Sequence, residues 1–199
     1  MKLIYKDKEF EINEGETIKE ALKEEITENI ITCNFNNEIK SLNYKPKMSG
    51  KVELLDYTDT EGKRVYVRGI MYVMAMAIEK LYPKSHLTIE YQLYNSMFCT
   101  FEKMQVTDEL LKEIKEKMQE IIDEDIPIVK KTMTAEEAKA FYEKEESEKG
   151  ILQINTETKE VVSLYYCKDY YNYFYGVMPI STGALKVFDL VKYGKRIST

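Results

Sequence analysis

The chain has 199 residues, 44% of them hydrophobic and 32% charged, and its 29 basic and 35 acidic residues give a net charge of −6. Only 8 glycines and 4 prolines are present, which excludes a low-complexity or fibrous chain, and no apolar run approaches the roughly 20 residues of a membrane-spanning helix. The length fits one or two domains with their own cores, so we expect a globular protein without a membrane segment.

The N-terminus and the cysteines indicate a cytoplasmic protein without a metal centre. The opening residues, MKLIYKDKEFEI, alternate charged and apolar side chains, which is a strand pattern rather than a signal peptide. The three cysteines, Cys33, Cys99 and Cys167, form no C-x-x-C pair, and His86 is the single histidine. This inventory argues against a disulfide framework and against a zinc site built from Cys and His.

Residues 1–62 carry the pattern of a β-grasp fold. The S/T-x-x-E spacing of Thr17 and Glu20 predicts a helix start, because the hydroxyl and the carboxylate satisfy free backbone amides there. Short β runs bounded by turn residues surround this helix, and they fall at 2–5, 9–12, 30–35, 38–42 and 51–57. The order ββαβββ is that of a β-grasp module, and the polar segment around Gly62 predicts a domain boundary there.

Residues 63–199 predict a second domain, of α+β class. Apolar residues recur every three or four positions in 65–81, which predicts a core helix closed by Pro83. The other predicted elements are strands in 87–101 with a turn at Asn95 and Ser96, a helix begun by Thr107, a helix capped by Thr134 and Glu137, and a hairpin of 151–154 with 161–166.

No motif for catalysis is found in the sequence. The phosphate-binding pattern G-x-x-x-x-G-K-[ST] is missing, since Gly194 and Lys195 have no glycine five residues earlier and are followed by Arg196. The lone His86 stands in no nucleophile motif. We therefore predict neither an ATP site nor a catalytic residue in this chain.

The most unusual feature is a run of aromatic residues. Seven of the eleven residues from Tyr165 to Tyr175 are aromatic. Such rings can stack on bases, while their hydroxyls, with Ser181, Thr182 and Lys186, donate to phosphate or sugar oxygens. In the alternative interpretation, alternate rings fill the core and the rest cover a neighbouring domain.

Basic charge is concentrated in two tyrosine-rich segments. Residues 63–100 hold five basic and two acidic residues, and residues 150–199 hold six and four, whereas the remaining segments are acidic. If the two segments meet in space, they form a surface suited to an anionic ligand. Chance is the alternative, because these excesses are far below the dense basic patch of a typical nucleic-acid binder.

With these motifs the chain resembles a known pair of domains. Residues 1–62 resemble a TGS domain, and residues 63 to about 185 resemble the second N-terminal domain of threonyl-tRNA synthetase, which removes mischarged serine. Residues 77–83 match the motif A-I-x-x-L-[WY]-P, Asn95 matches an Asn-Gly turn, and residues 128–131 match a V-I-K-K segment before a capped helix.

The functional residues of that editing domain do not carry over. Where the family has H-x-x-x-H, this chain has Arg68 and Tyr72, and where the family has C-x-x-x-H, it has Phe174 and Met178. The resemblance therefore argues against editing activity and against a bound zinc ion.

A closer resemblance is to the N-terminal half of uridine-kinase-like nucleoside kinases of clostridial type. In that family a TGS domain and this editing-like domain precede a kinase domain with a phosphate loop. Residues 173–183 match the motif Y-F-Y-G-x-x-x-x-S-T-G, and residues 186–190 match K-V-F-D-L. The resemblance implies a kinase domain beyond Thr199 that binds ATP and Mg²⁺ and is a partner of this chain, which itself has no cofactor.

We predict that the chain is a non-catalytic accessory and regulatory module whose cleft holds a nucleotide, an RNA or the kinase domain. The residues assigned to this cleft are Arg68, Tyr72, Asn95, Tyr173, Tyr175, Ser181, Thr182 and Lys186. Two alternatives stay open: a stand-alone degenerate editing-like hydrolase or tRNA-binding protein, and a structural module that forms a homo-oligomer.

Overall fold

The computed structural model describes residues 1–83, 85, 87–93, 96–101, 105–144, 161–194 and 196–198. Over these residues the chain forms four α-helices and twelve short strands. The helices are α1 (Ile18–Ala21), α2 (Thr60–Leu81), α3 (Asp108–Asp123) and α4 (Ala135–Lys144). The strands are β1 (Lys2–Tyr5), β2 (Lys8–Glu11), β3 (Ile30–Phe35), β4 (Glu38–Lys40), β5 (Gly50–Asp56), β6 (Leu87–Leu93), β7 (Ser96–Phe101), β8 (Val129–Thr134), β9 (Val161–Cys167), β10 (Tyr170–Tyr173), β11 (Val191–Tyr193) and β12 (Arg196–Ser198).

The N-terminal strands form a five-stranded sheet with α1 packed against it. The strand order is β2-β1-β5-β3-β4, with β1 and β5 parallel and the other neighbours antiparallel. Helix α1 starts at the predicted capping box, where the Glu20 carboxylate accepts a 2.8 Å hydrogen bond from the Thr17 amide. Leu3, Ile18 and Val52 are buried in the core between helix and sheet. The predicted ββαβββ order is confirmed.

A second, three-stranded sheet has the order β10-β9-β8 and is antiparallel throughout. Helix α4 covers one of its faces, because Ala138 and Tyr142 pack against Val162 and Leu164 of the central strand β9. The helix begins as predicted at Thr134, whose hydroxyl accepts from the Glu137 amide while the Glu137 carboxylate accepts from the Thr134 amide.

The third sheet has four strands in the order β11-β12-β7-β6, all antiparallel. Helix α3 begins after Thr107 as predicted and buries one apolar stripe, which includes Ile114, Met118 and Ile121. The core helix is present as predicted, but its burial goes beyond the single face that the spacing indicates, because Tyr72, Val73 and Met76 are buried as well.

The chain divides into two compact units. One comprises Met1–Val65 and Ile126–Ser181, and the other comprises Tyr66–Asp125 and Thr182–Thr199. Each unit is therefore built from two separate stretches of chain. The division into residues 1–62 and 63–199 that the sequence suggests stays a prediction.

The polar segment before the core helix is more ordered than a linker. Helix α2 begins at Thr60 rather than at Val65, so this segment forms a hydrogen-bonded loop and the first helical turn. The Asp56 amide donates to Asp59 Oδ2 at 2.9 Å, and the Thr58 amide donates to Asp56 Oδ1 at 2.6 Å. Short polar side chains satisfy free amides at a helix start, which is why the composition looks like that of a loop.

Other sequence expectations differ from the structure or lie outside its described part. The sequence patterns do not predict strands β8, β10, β11 and β12, and β9 pairs with β8 and β10. The predicted partner strand 151–154 and the turn residue Asn95 lie outside the described residues. In the described part of the chain, no helix is long and apolar enough to cross a membrane.

Candidate functional site

The aromatic run 165–175 is divided by strand alternation. Tyr165 and Tyr170 are buried. Tyr166, Tyr171 and Tyr173 lie on the opposite side of the sheet, where they pack against the hydrophobic cluster of α4 and β9. The antiparallel register places Tyr171 beside Tyr166 and thus continues this face across two strands. Tyr165 and Tyr170 thus fill the core, whereas Tyr173, like Tyr166 and Tyr171, is half-buried against the α4 cluster.

Rings from three elements meet on the α4 side of this sheet. Phe141 of α4 lies 4.7 Å from Tyr171 in an edge-to-face arrangement and 6.2 Å from Tyr166, measured between ring centroids. Tyr166 and Tyr171 are 5.8 Å apart and tilted by 33°. All three rings are half-buried. The ammonium group of Lys131 lies 4.2 Å from the centroid of Tyr166. We call Lys131, Phe141, Tyr166 and Tyr171 the aromatic patch.

The patch rests on a rigid base. Tyr142, the residue after Phe141, is fully buried, and its ring lies 5.6 Å from that of Tyr171. Burial raises the pKa of Tyr142, so its hydroxyl stays neutral at physiological pH. The half-buried rings therefore sit on a packed core that fixes their orientation.

Tyr175 is the exposed member of the aromatic run, with 83% of its surface accessible. It follows β10 in a loop that is anchored at the next residue, where the Tyr165 hydroxyl donates to the Gly176 carbonyl oxygen. Gly176 has a φ of 93°, which glycine adopts readily. The loop thus presents one aromatic ring to solvent from a held position.

Ser181 and Thr182, both assigned to the predicted cleft, have structural contacts. Ser181 forms an isolated antiparallel bridge with Pro127. Thr182 is fully buried, and its hydroxyl donates a 2.7 Å hydrogen bond to the carbonyl oxygen of Ile121 near the end of α3. That carbonyl is among the last four of the helix, which have no partner within the helix itself. A ligand cannot reach the Thr182 hydroxyl in this conformation.

The glycine that completes the S-T-G motif is needed for close packing. The Gly183 amide donates to Asp125 Oδ1 at 3.1 Å. A Cβ atom on Gly183 would lie 2.3 Å from the same oxygen, so a larger residue would displace the carboxylate. In this chain Thr182 and Gly183 of the S-T-G motif are therefore fastened to the end of α3 and to Asp125 just beyond it.

The remaining cleft residues differ in exposure. Tyr72 on α2 is fully buried, so its side chain offers no surface to a ligand in this conformation. Arg68 on the same helix is half-buried, and Lys186 is exposed. Arg68 belongs to the second compact unit and Tyr175 to the first, and their predicted approach stays a prediction.

The K-V-F-D-L motif, residues 186–190, is held on two helices. The Tyr66 hydroxyl of α2 accepts from the Val187 amide at 2.7 Å and donates to the Val187 carbonyl oxygen at 2.8 Å. Lys115 of α3 bonds Asp189 at 2.5 Å, and this hydrogen bond lowers the pKa of the Asp189 carboxyl group. The motif's contacts within this chain are thus structural.

The four positions that correspond to the editing residues carry none of the usual zinc ligands or proton-transfer groups of that family. Arg68, Tyr72, Phe174 and Met178 supply no imidazole or thiolate, and both Tyr72 and Met178 are buried. Among the described residues, no group of three or more His, Cys, Asp or Glu side chains is placed to hold a metal ion. The three cysteines are buried as free thiols, and burial raises the pKa of Cys33 and of Cys99 to about 12.

A groove of about 560 Å³ lies between α3 and the C-terminal segment. Leu111, Leu190 and Val191 form its apolar floor, and Lys112, Lys115 and Lys192 stand beside Asp108 and Glu116 on its rim. Lys112 pairs with Glu116 at 3.8 Å, and Lys115 pairs with Asp189 at 2.5 Å. Because both acidic and basic side chains line the groove, it favours neither an anionic nor a cationic ligand.

The sequence did not indicate Lys131 and Phe141 as partners of the aromatic run. Lys131 comes from a strand that carries no alternation, and Phe141 comes from a helix whose apolar stripe indicates only that it packs. The available signal was the pair Phe141-Tyr142 on α4, which places one ring in the core and the next at its edge.

Comparison with known proteins identifies a homologous region. The chain is 32% identical to the threonine–tRNA ligase of Syntrophomonas wolfei over 177 residues, which are 87% of this chain and 28% of that protein. It is 31% identical to the threonine–tRNA ligases of Desulforamulus reducens and Acetivibrio thermocellus, over 89% and 91% of this chain and 29% of each protein. No protein-family model matches the chain.

The chain thus spans less than a third of the length of the curated relatives that it matches. These relatives are threonyl-tRNA synthetases, and the homologous part is their N-terminal region. The predicted fold class is confirmed: the chain is α+β, with a TGS-like β-grasp domain followed by a domain like the second one of threonyl-tRNA synthetase. The TGS and threonyl-tRNA synthetase resemblance is confirmed to that extent.

Proposed function

We propose that this chain is a non-catalytic accessory module that binds RNA for a larger protein. The observation that carries the proposal is similarity to threonine–tRNA ligases along about nine-tenths of the chain, combined with non-catalytic residues at the editing positions. The chain is like a region of tRNA ligases and has other residues at the editing positions, so we propose binding without catalysis as its function.

Two surface features support RNA as the ligand. Tyr175 offers an exposed ring on an anchored loop, and the aromatic patch combines half-buried rings with a lysine. Aromatic rings bind unpaired bases by stacking, and lysines bind the phosphates between them. With a net charge of −6, the chain would bind RNA through few phosphate contacts and with modest affinity.

Direct titration tests this function. A fluorescently labelled, short single-stranded RNA is titrated with the chain at low and at physiological salt, followed by fluorescence anisotropy. We expect saturable binding that weakens as salt rises, and several-fold weaker binding by the Tyr175→Ala variant. Val191→Ala is the matched control, because Val191 is also exposed but lies in the other compact unit. Absence of binding by the native chain at low salt would contradict the proposal.

We also propose that the larger protein is a nucleoside kinase of the uridine-kinase type, in which a kinase domain outside this chain binds ATP and Mg²⁺. The Y-F-Y-G-x-x-x-x-S-T-G and K-V-F-D-L motifs support this proposal. The kinase domain would then be the partner of this module. We expect ATP-dependent phosphorylation of uridine from the longer protein and not from these 199 residues alone. Turnover by this chain above a protein-free blank would contradict that expectation.

The cytoplasm is the compartment that fits this function. Three free, buried cysteines are typical of a protein that folds under reducing conditions. In a secreted protein, by contrast, cysteines are commonly paired in disulfides.

A further inference from the structure

We propose that the aromatic patch is the binding site for an unpaired RNA base, with Lys131 holding the adjacent phosphate. This inference rests on the proposed RNA-binding function and names the surface that performs it. The base is expected to stack on Tyr171, the central ring of the patch, which contacts both Phe141 and Tyr166.

The rings form one connected, oriented surface. Centroid separations of 4.7 Å and 5.8 Å join Tyr171 to its two neighbours, so the three side chains hold one another in place. Phe141, Tyr166 and Tyr171 are each half-buried, so part of each residue stays accessible while the rest is packed. A pre-ordered ring loses little conformational entropy when a base stacks on it.

Lys131 supplies the cation at the required place. Its ammonium group is held 4.2 Å from the centroid of the Tyr166 ring, and Tyr166 lies next to Tyr171. Within the described part of the chain, no carboxylate lies within 4.0 Å of this ammonium group. The lysine is exposed and can contact a phosphate without leaving the patch.

The strand that carries Lys131 also supplies a matched control. In the β8–β9 register, Lys131 is opposite Leu164 and Lys130 is opposite Tyr165. Because neighbouring residues of a strand point to opposite faces, Lys131 lies on the α4 side with the patch and Lys130 lies on the other side. Both lysines are exposed, and their replacement changes the net charge of the chain by the same amount.

The experiment compares Lys131→Glu with Lys130→Glu in titrations of a labelled single-stranded RNA at several salt concentrations. For Lys131→Glu we expect weaker binding and a plot of log affinity against log salt that is shallower by about 0.7, the contribution of one phosphate contact in single strands. Lys130→Glu reports the effect of charge alone and should keep the native slope.

A second pair of variants tests stacking. Tyr171→Phe keeps the aromatic ring and should bind like the native chain, whereas Tyr171→Leu removes it and should bind roughly tenfold to a hundredfold more weakly. Thermal melting of each variant verifies the fold, and the two surface lysine variants give a result even if Tyr171→Leu unfolds.

The outcomes separate this inference from the proposed function. If the native chain binds RNA and Lys131→Glu behaves like Lys130→Glu, the patch is not the site, although RNA binding stands. If Lys130→Glu alone weakens binding, the ligand lies on the opposite face and the inference is wrong. If the native chain binds no RNA at low salt, both the inference and the proposed function are overturned.

Discussion

The backbone carbonyl oxygen of Asp56 lies so close to Gly62 that a Cβ atom on this glycine would stand 1.9 Å from it. The end of β5 and the first turn of α2 therefore pack backbone to backbone, and a side chain at position 62 has no space. The segment that the sequence suggests as a boundary is a close-packed junction, in which only a residue without Cβ fits.

Gly62→Ala should accordingly destabilise the protein. Helix propensity alone predicts a gain of up to about 1 kcal/mol for this change, but the obstructing atom is backbone and cannot rotate away. We expect a net loss of about 1–3 kcal/mol, measured by urea unfolding. The comparison variant is Gly15→Ala, since a Cβ atom there meets nothing within 4 Å and only its φ of 84° is unfavourable. A Gly62→Ala variant as stable as the native chain would show that the junction opens easily.

Thr182→Val tests the contact that fastens the S-T-G motif to α3. Valine keeps the shape of threonine and removes the hydroxyl that donates to the Ile121 carbonyl oxygen. Leaving a buried acceptor unpaired costs about 1–3 kcal/mol, so the free energy of unfolding should fall by that amount. Thr182→Ser retains the donor and should lose less, whereas a Thr182→Val variant as stable as the native chain would show that this hydrogen bond contributes little to stability.

Thiol reactivity follows from the burial of the cysteines. Burial raises the pKa of Cys33 and Cys99 to about 12, so at pH 8 almost no reactive thiolate exists in the folded chain. We expect a thiol reagent to label these two cysteines only as fast as the protein opens, and urea to increase the rate. Rapid labelling of the native chain, located by mass spectrometry, would contradict the packing described here.

The same cysteines predict a direction for the pH dependence of stability. Their folded pKa is above the ordinary value of 9.0, so the neutral thiol is favoured in the folded state. This contribution is complete below about pH 9 and is lost as pH rises from 9 towards 12, because only the unfolded chain releases these protons in that range. Cys33→Ser with Cys99→Ser should flatten the alkaline decline, as measured by urea unfolding between pH 8 and 10, and an unchanged decline would assign it to other groups.

Metal content tests the four positions at which the editing domain has its histidines and cysteine. Arg68, Tyr72, Phe174 and Met178 offer no strong zinc ligand, and we expect elemental analysis of the purified chain to find zinc well below one ion per molecule. The melting temperature of the purified chain should also stay the same when a chelator is added. A stoichiometric zinc ion would contradict this assignment of the four positions.

Local signals in the sequence predicted much of the fold. The hydroxyls of Thr17, Thr107 and Thr134 cap α1, α3 and α4 as their spacing indicates, because a cap depends on residues only three positions apart. The β-grasp order was equally readable from alternation and turn residues. Long apolar periodicity likewise placed the core helix within α2.

The parts that were missed depend on contacts distant in sequence. Strand β8 is exposed along almost its whole length and exists because it pairs with β9, so its own residues show no alternation. Strand β12 forms by pairing with β7, about a hundred residues earlier. The candidate site shows the same limit. The sequence indicated the aromatic run, but only packing shows that Tyr173 is half-buried against the α4 cluster, that Tyr175 is exposed and that Lys131 lies beside Tyr166.

The most direct test of the central claim, a module that binds RNA without catalysis, uses tRNA charged with serine by the threonine-specific ligase. The chain is incubated with this seryl-tRNA, and a single gel-shift experiment with labelled serine follows both the bound complex and the remaining ester. We expect a retarded complex that weakens with salt, in which serine is lost no faster than in a protein-free blank. Accelerated release of serine, or no retarded complex at low salt, would contradict the claim.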